Sequence, residues 1–108
     1  MKKSVQAIRI TIISILLCLS AGLSLHAQWD KDVFMWRGRS ALSDGKYALA
    51  IENFNILTRL DTTDHWSFFF RGIAKYNLGD IHGAADDFDR SVRINPLFTN
   101  GYHYRAIA

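Results

Sequence analysis

Cysteine and proline are almost missing from this 108-residue chain, which holds one of each, Cys18 and Pro96. A single thiol cannot build a disulfide scaffold or a Cys-rich metal cage. Nor is there the proline content of a rigid spacer or a low-complexity tract. Gly-rich phosphate loops and paired metal motifs are absent, and Ser40, Ser43, Ser67 and Ser91 sit within helical patterns rather than in a nucleophile elbow. His82 and Asp86 are four apart on one helix face but have no third ligand beside them, so they read as solvated surface. No catalytic residue, metal or cofactor is expected, and the length allows one small domain.

Excess charge is scarce as well. The formal net charge is +3, yet Lys2, Lys3 and Arg9 supply all of it, leaving ten basic and ten acidic residues after Ala27. A neutral remainder gives no basic face for nucleic acid.

The first 27 residues differ from the rest. Three cations precede an almost unbroken apolar run, Ile10 to Leu25, and Leu25-His26-Ala27 closes it with a small residue before Gln28. That order is how a secretory signal peptide reads. As a helix the run covers about 24 Å, short of the ~30 Å hydrocarbon core, which favours a removed leader over a permanent anchor. The chain is therefore expected to be exported to the periplasm or outer cell surface, with an uncleaved inner-membrane anchor as the alternative. This segment is the one expected membrane contact. Leu17 is not the small residue that lipid attachment at Cys18 would want.

Beyond the leader, what is plentiful is self-similarity. Shifting the chain by 34 residues lays Phe34, Arg37, Gly38, Gly45, Ala50, Phe54 and Arg59 on Phe68, Arg71, Gly72, Gly79, Ala84, Phe88 and Arg93 without a gap. Chance alone would give about two such identities. "FMWRG", "FFFRG" and "YHYRA" are then three copies of one stretch. In the second copy Trp66, Phe69, Ile73 and Tyr76 recur at helical spacing, Gly79 stops the helix, and Asp80 can cap the next. Ile81, Ala84, Ala85, Phe88 and Val92 form the following stripe, opposite a polar face of His82, Asp86, Asp89, Arg90 and Arg93, and Pro96 ends it. The first copy has the same layout: a helix from about Lys31 to Ser43, a turn at Asp44 to Lys46, and a stripe of Tyr47, Ala50, Ile51, Phe54 and Leu57. Gly38 and Gly72, with Ala50 and Ala84, let paired helices approach while Phe54 and Phe88 fill the space beside them.

The period, the aromatic-then-Gly first helix, the Gly-Asp turn and the Ala, Phe and Pro of the second helix resemble tetratricopeptide repeats. "FFFRGIAKYNLGDIHGAADDFDRSVRINP" is the better match. The resemblance implies an all-α fold of antiparallel helix hairpins, a right-handed α-solenoid. It would hold two full repeats, about 31–64 and 65–98, and the start of a third over 99–108. Leu57, Thr62 and Lys75 depart from the family pattern.

In that family the first helices line a concave groove for a peptide or partner protein. Carried onto this chain, the groove side is Asp32, Met35, Arg39 and Leu42, then Trp66, Phe69, Ile73, Tyr76 and Asn77, then Asn100, His103 and Ile107. Phe68 and Phe70 are expected in the core. Arg37, Arg71 and Arg105 recur at the repeat period; they are expected to stack on their own repeat's aromatics or pair with a helix carboxylate such as Asp86, with a ladder for acidic ligands as the alternative. Asp86, Asp87 and Asp89 read as surface charge near a helix start.

These readings converge on an exported protein–protein interaction module. The alternative is a structural spacer or assembly segment with no free groove. Self-association through the uncapped third repeat, at Tyr102, Tyr104 and Ile107, is a further expectation.

Overall fold

A computed structural model of the chain describes residues 2–108, the side chains of residues 23–28 excepted, so the expected cleavage-site side chains of Leu25, His26, Ala27 and Gln28 lie outside the described residues. Among the described residues five helices follow one another: α1 (Lys2–Ser43), α2 (Tyr47–Leu60), α3 (His65–Asn77), α4 (Ile81–Ile94) and α5 (Thr99–Ile107). Among the described residues there is no strand. The chain divides into two compact units, Met1–Asp30 and Lys31–Ala108.

In the first unit, Lys2–Gly22 is a helical stretch long and apolar enough to cross a membrane, with a mean hydropathy of 1.9 and no part of it buried. Ile10, Ile12, Ile13, Ile15, Leu16, Leu17 and Leu19 are all exposed, and so is Cys18.

The second unit is a set of antiparallel helix hairpins in the manner of tetratricopeptide repeats. The last turns of α1 pair with α2, α3 pairs with α4, and α5 opens a third hairpin. The turn within each hairpin is a left-handed glycine, Gly45 at φ 75° and Gly79 at φ 88°. Around them the same closing bonds recur one period apart: Lys46 N donates to Ala41 O at 2.8 Å, and Asp80 N to Lys75 O at 2.9 Å. These satisfy carbonyls that the helix end would otherwise orphan.

The starts of α3 and α4 carry side-chain caps. Asp64 accepts from Trp66 N at 3.0 Å and from Ser67 Oγ at 2.9 Å, and Asp80 accepts from Gly83 N at 3.0 Å. Asn95 closes α4, and Pro96 has no N–H with which to continue it.

Within each hairpin a glycine of the first helix lies under a phenylalanine of the second. A β-carbon on Gly38 would fall 2.6 Å from the Phe54 ring, and one on Gly72 2.7 Å from the Phe88 ring. Phe54, Phe88, Ala50 and Ala84 are fully buried. One core gathers Ala41, Ala50, Phe54, Leu57 and Ala74; the other gathers Phe69, Ala84, Phe88 and Phe98. Phe34 flanks the first core half-buried, while Phe68 is buried at 2% exposure. Burying a ring of this size stabilises by roughly 1.5–3 kcal/mol, so a few phenylalanines dominate each hairpin.

Each hairpin is also closed at its open end by a polar contact that repeats. Lys31 Nζ lies 2.8 Å from Asp61 Oδ2, and one period later His65 Nε2 lies 3.4 Å from Asn95 Nδ2. Each ties the first residue of a repeat to the connector at its far end.

Candidate partner-binding groove

The groove lies between the last turns of α1 and α3. A cleft of about 680 Å³ is lined by Asp32, Met35, Arg39 and Leu42 from α1 and by Phe70 from α3. A recess of about 240 Å³ continues it toward Asp64 and Trp66. Its floor is a column of rings: Phe54 stacks on Phe70 at 5.9 Å and 19°, and Phe70 on Trp66 at 5.5 Å and 20°. The Arg39 guanidinium sits 5.2 Å over the Phe70 ring. Trp66 remains 41% exposed, whereas Phe54 at the base of the column is fully buried.

This geometry suits an apolar or aromatic side chain laid on the open rings, with Arg39 beside it to receive a carbonyl or carboxylate. Asp64 adds less, because both its carboxylate oxygens already accept hydrogen bonds at the start of α3.

The structure brings Asp32, Met35, Arg39, Leu42 and Trp66 together here. Phe69, expected on the groove side, is buried at 5% exposure and its ring packs against Phe88, Phe98 and Tyr104. Phe70, expected in the core, is half-buried and lines the groove instead. The two are adjacent on α3 and so point about 100° apart. Neighbouring hairpins cover one of those directions and leave the other open.

Ile73, Tyr76 and Asn77 lie farther along α3. Ile73 packs half-buried against the second core, Tyr76 is 39% exposed, and Asn77 Nδ2 donates to Ile73 O at 2.8 Å. His103 is exposed on α5 with its ring edge-on to Tyr104 at 5.7 Å. Asn100 and Ile107 are exposed on the same helix.

The periodic arginines take structural places. Arg37 lies 5.9 Å from the Phe34 ring, Arg71 5.3 Å from Phe68, and Arg105 5.0 Å from Tyr102, each three residues after its ring. Arg71 does most. Its Nε and Nη2 donate to the two oxygens of Asp87 at 2.9 and 2.7 Å, while Nη1 donates to Asn55 Oδ1 at 3.0 Å and Thr58 Oγ1 at 3.1 Å. Lys75 Nζ adds a second cation 3.1 Å from Asp87. Asp87 is thus buried, at 3% exposure, and is not the surface charge its position in an acidic run implied. The carboxylate paired with Arg71 is Asp87 and not Asp86, which stays exposed. Lys75, where an apolar residue was expected, is the second cation of this cluster.

Asp61 is held well below its ordinary value of 3.8 by the hydrogen bond from Lys31, then by those from the Thr63 hydroxyl and N–H. Lys31 is raised above 10.5, chiefly by the same bond to Asp61, with partial burial opposing. Sequence reasoning missed both this pair and the role of Asp87. A signal existed, because Lys31/His65 and Asp61/Asn95 are each one period apart.

No known protein-family profile matches the chain. Over 65 residues, 60% of its length, it is 32% identical to the tetratricopeptide repeat and J domain-containing co-chaperone DNJ1 of Cryptococcus neoformans var. grubii serotype A. The match spans 12% of that protein. This similarity and the hairpin architecture together fit a tetratricopeptide-type repeat.

Proposed function

We propose that the chain is a protein–protein interaction module of the cell envelope that holds a peptide or helix of a partner in the groove between α1 and α3. The observation that carries this reading is the Phe54–Phe70–Trp66 column, closed at its base and open at Trp66, with the Arg39 guanidinium beside it. Rigid rings give contact area at low entropic cost, and an arginine at their edge fixes register. The tetratricopeptide repeats named in the similar co-chaperone support a protein partner. No reaction is ascribed to the module.

Export rests on the leader. A charged start followed by the exposed apolar stretch Lys2–Gly22 supports delivery across or into a membrane. Mass measurement of the exported protein is expected to give Gln28 as its first residue. A mass retaining residues 1–27 would instead assign the segment as an anchor.

The groove is tested with a photoreactive amino acid at position 42, on its wall, in the cellular protein. We expect a discrete crosslinked adduct that the pair Arg39→Glu and Trp66→Ala abolishes while the far-ultraviolet circular dichroism stays helical. Persistence of the adduct in that pair would overturn the groove. If substituting Trp66, Phe69 and Tyr76 together unfolds the chain and no milder variant separates binding from folding, the spacer reading is the correct one.

A further inference from the structure

Two helix contacts in this chain follow one rule. α2 meets α3 through Phe54 against Phe70, 5.9 Å between ring centres, and through Asn55 accepting from Arg71 at 3.0 Å. α4 meets α5 through Phe88 against Tyr104 at 5.6 Å and through Asp89 beside Arg105 at 3.5 Å. In both, an aromatic residue followed at once by Asn or Asp docks on an aromatic residue followed at once by Arg, and the polar partners lie 16 residues apart.

A third receiving pair exists. Trp36-Arg37 on α1 stands 34 residues before Phe70-Arg71 and in the same register. Within Lys31–Ala108 no helix covers it. Trp36 is 70% exposed, whereas its counterpart Phe70 is half-buried; Ser40 is half-buried, whereas its counterpart Ala74 is fully buried. Arg37 reaches the Phe34 ring but makes no ion pair among the described residues. Beside it a cleft of about 350 Å³ runs between α1 and α2, lined by Lys46, Leu49 and Asn53 as well as Trp36 and Arg37. Two cations against Asp44 leave that cleft net positive.

We propose that this outer face docks an amphipathic helix of a partner protein. The helix would carry an aromatic residue for Trp36 and, immediately after it, an Asp for Arg37. The helices that show the rule inside this chain, α2 and α4, are held in their own hairpins with Phe54 and Phe88 fully buried, so a second copy can offer only Trp29-Asp30, or Tyr76 followed by the neutral Asn77. The net positive cleft calls for an Asp-bearing helix, and the occupant assigned is a foreign one, with a second copy through Trp29-Asp30 as the competing outcome of the test. The surface is separate from the α1–α3 groove and shares with it only the rim residues Trp36 and Ser40.

The test uses the full chain in mild detergent and, as probe, a fluorescein-labelled peptide of the sequence Ile81–Ile94, which contains Phe88-Asp89. Anisotropy, corrected for micelles alone, is expected to show saturable binding. Arg37→Glu in the protein, or Asp89→Lys in the peptide, should each weaken it at least about tenfold, and combining the two should restore it, as expected of a direct charge pair. Arg39→Glu, in the groove, should leave this binding unchanged, so the two surfaces fail or hold independently. Equal binding to the Arg37→Glu protein, the absence of saturable binding, or sedimentation showing that a second copy occupies the face through Trp29-Asp30 would each overturn the proposal.

Discussion

A β-carbon added to Gly72 meets the Phe88 ring at 2.7 Å and the Asp87 side chain at 3.2 Å. Phe88 is fully buried and cannot swing aside, so the hairpin must open. Overpacking of this kind costs about 1–3 kcal/mol, and the better helix propensity of alanine returns up to about 1 kcal/mol. Gly72→Ala should therefore destabilise by roughly 1 kcal/mol, read as a lowered urea midpoint. At this scale the sequence was legible wherever a residue's job is set by its own hairpin: Gly38, Gly72, Phe54 and Phe88 recur one period apart and meet in pairs. It was not legible where a neighbouring hairpin decides. Phe69 and Phe70 carry equal apolar weight on one helix, and only the position of α4 and α5 settles which is covered.

Between elements, the connectors matter as much as the helices. Lys31 and Asp61 join the start of the second unit's first helical stretch to the end of α2 through a 2.8 Å bond. Asp61 is depressed well below its ordinary 3.8, so it holds fewer protons folded than unfolded as pH falls, and its contribution is complete above about pH 5 and is lost progressively as pH falls from there through its depressed folded value. Lys31 is raised above 10.5, so its contribution is complete below that value and lost as pH rises past it. Melting curves recorded from about pH 2 to 6 should therefore converge for the native chain and Asp61→Asn at the acid end and diverge above it. The helix ends were readable beforehand from Gly45, Gly79, Asp80 and Pro96, because turn chemistry is local. The clamp was not, since its partners stand 30 residues apart and each alone is an ordinary surface charge.

Over the whole second unit, Arg71 is the residue that couples hairpins, bonding to α2 through Asn55 and Thr58 and to α4 through Asp87. Asp87→Ala would leave Arg71 and Lys75, both largely buried, without their shared carboxylate. Removing one partner of a buried pair costs about 3–5 kcal/mol, and the partial exposure of the two cations places this case near about 3 kcal/mol. A urea midpoint within about 0.5 kcal/mol of the native chain would show that the cluster is dispensable, as surface pairs often are. The repeat architecture itself was plain in the sequence because seven identities share one spacing. The buried charge at its centre was hidden, because an aspartate between Asp86 and Asp89 looks like solvent-facing polarity until the third dimension brings Arg71 across.

Docking of α2 on α3 depends on residues 16 apart, Asn55 on Arg71 being one such pair, with the short segment Asp61–Asp64 lying between them. Adding or deleting a single amino acid in that loop would leave either hairpin whole yet rotate every inter-hairpin partner off its mate at once. Homologous chains should therefore keep the loop's length even where Thr62 changes, with Asp61 and Asp64 held separately by the clamp and the cap, so that the reading frame of the array is guarded by spacing.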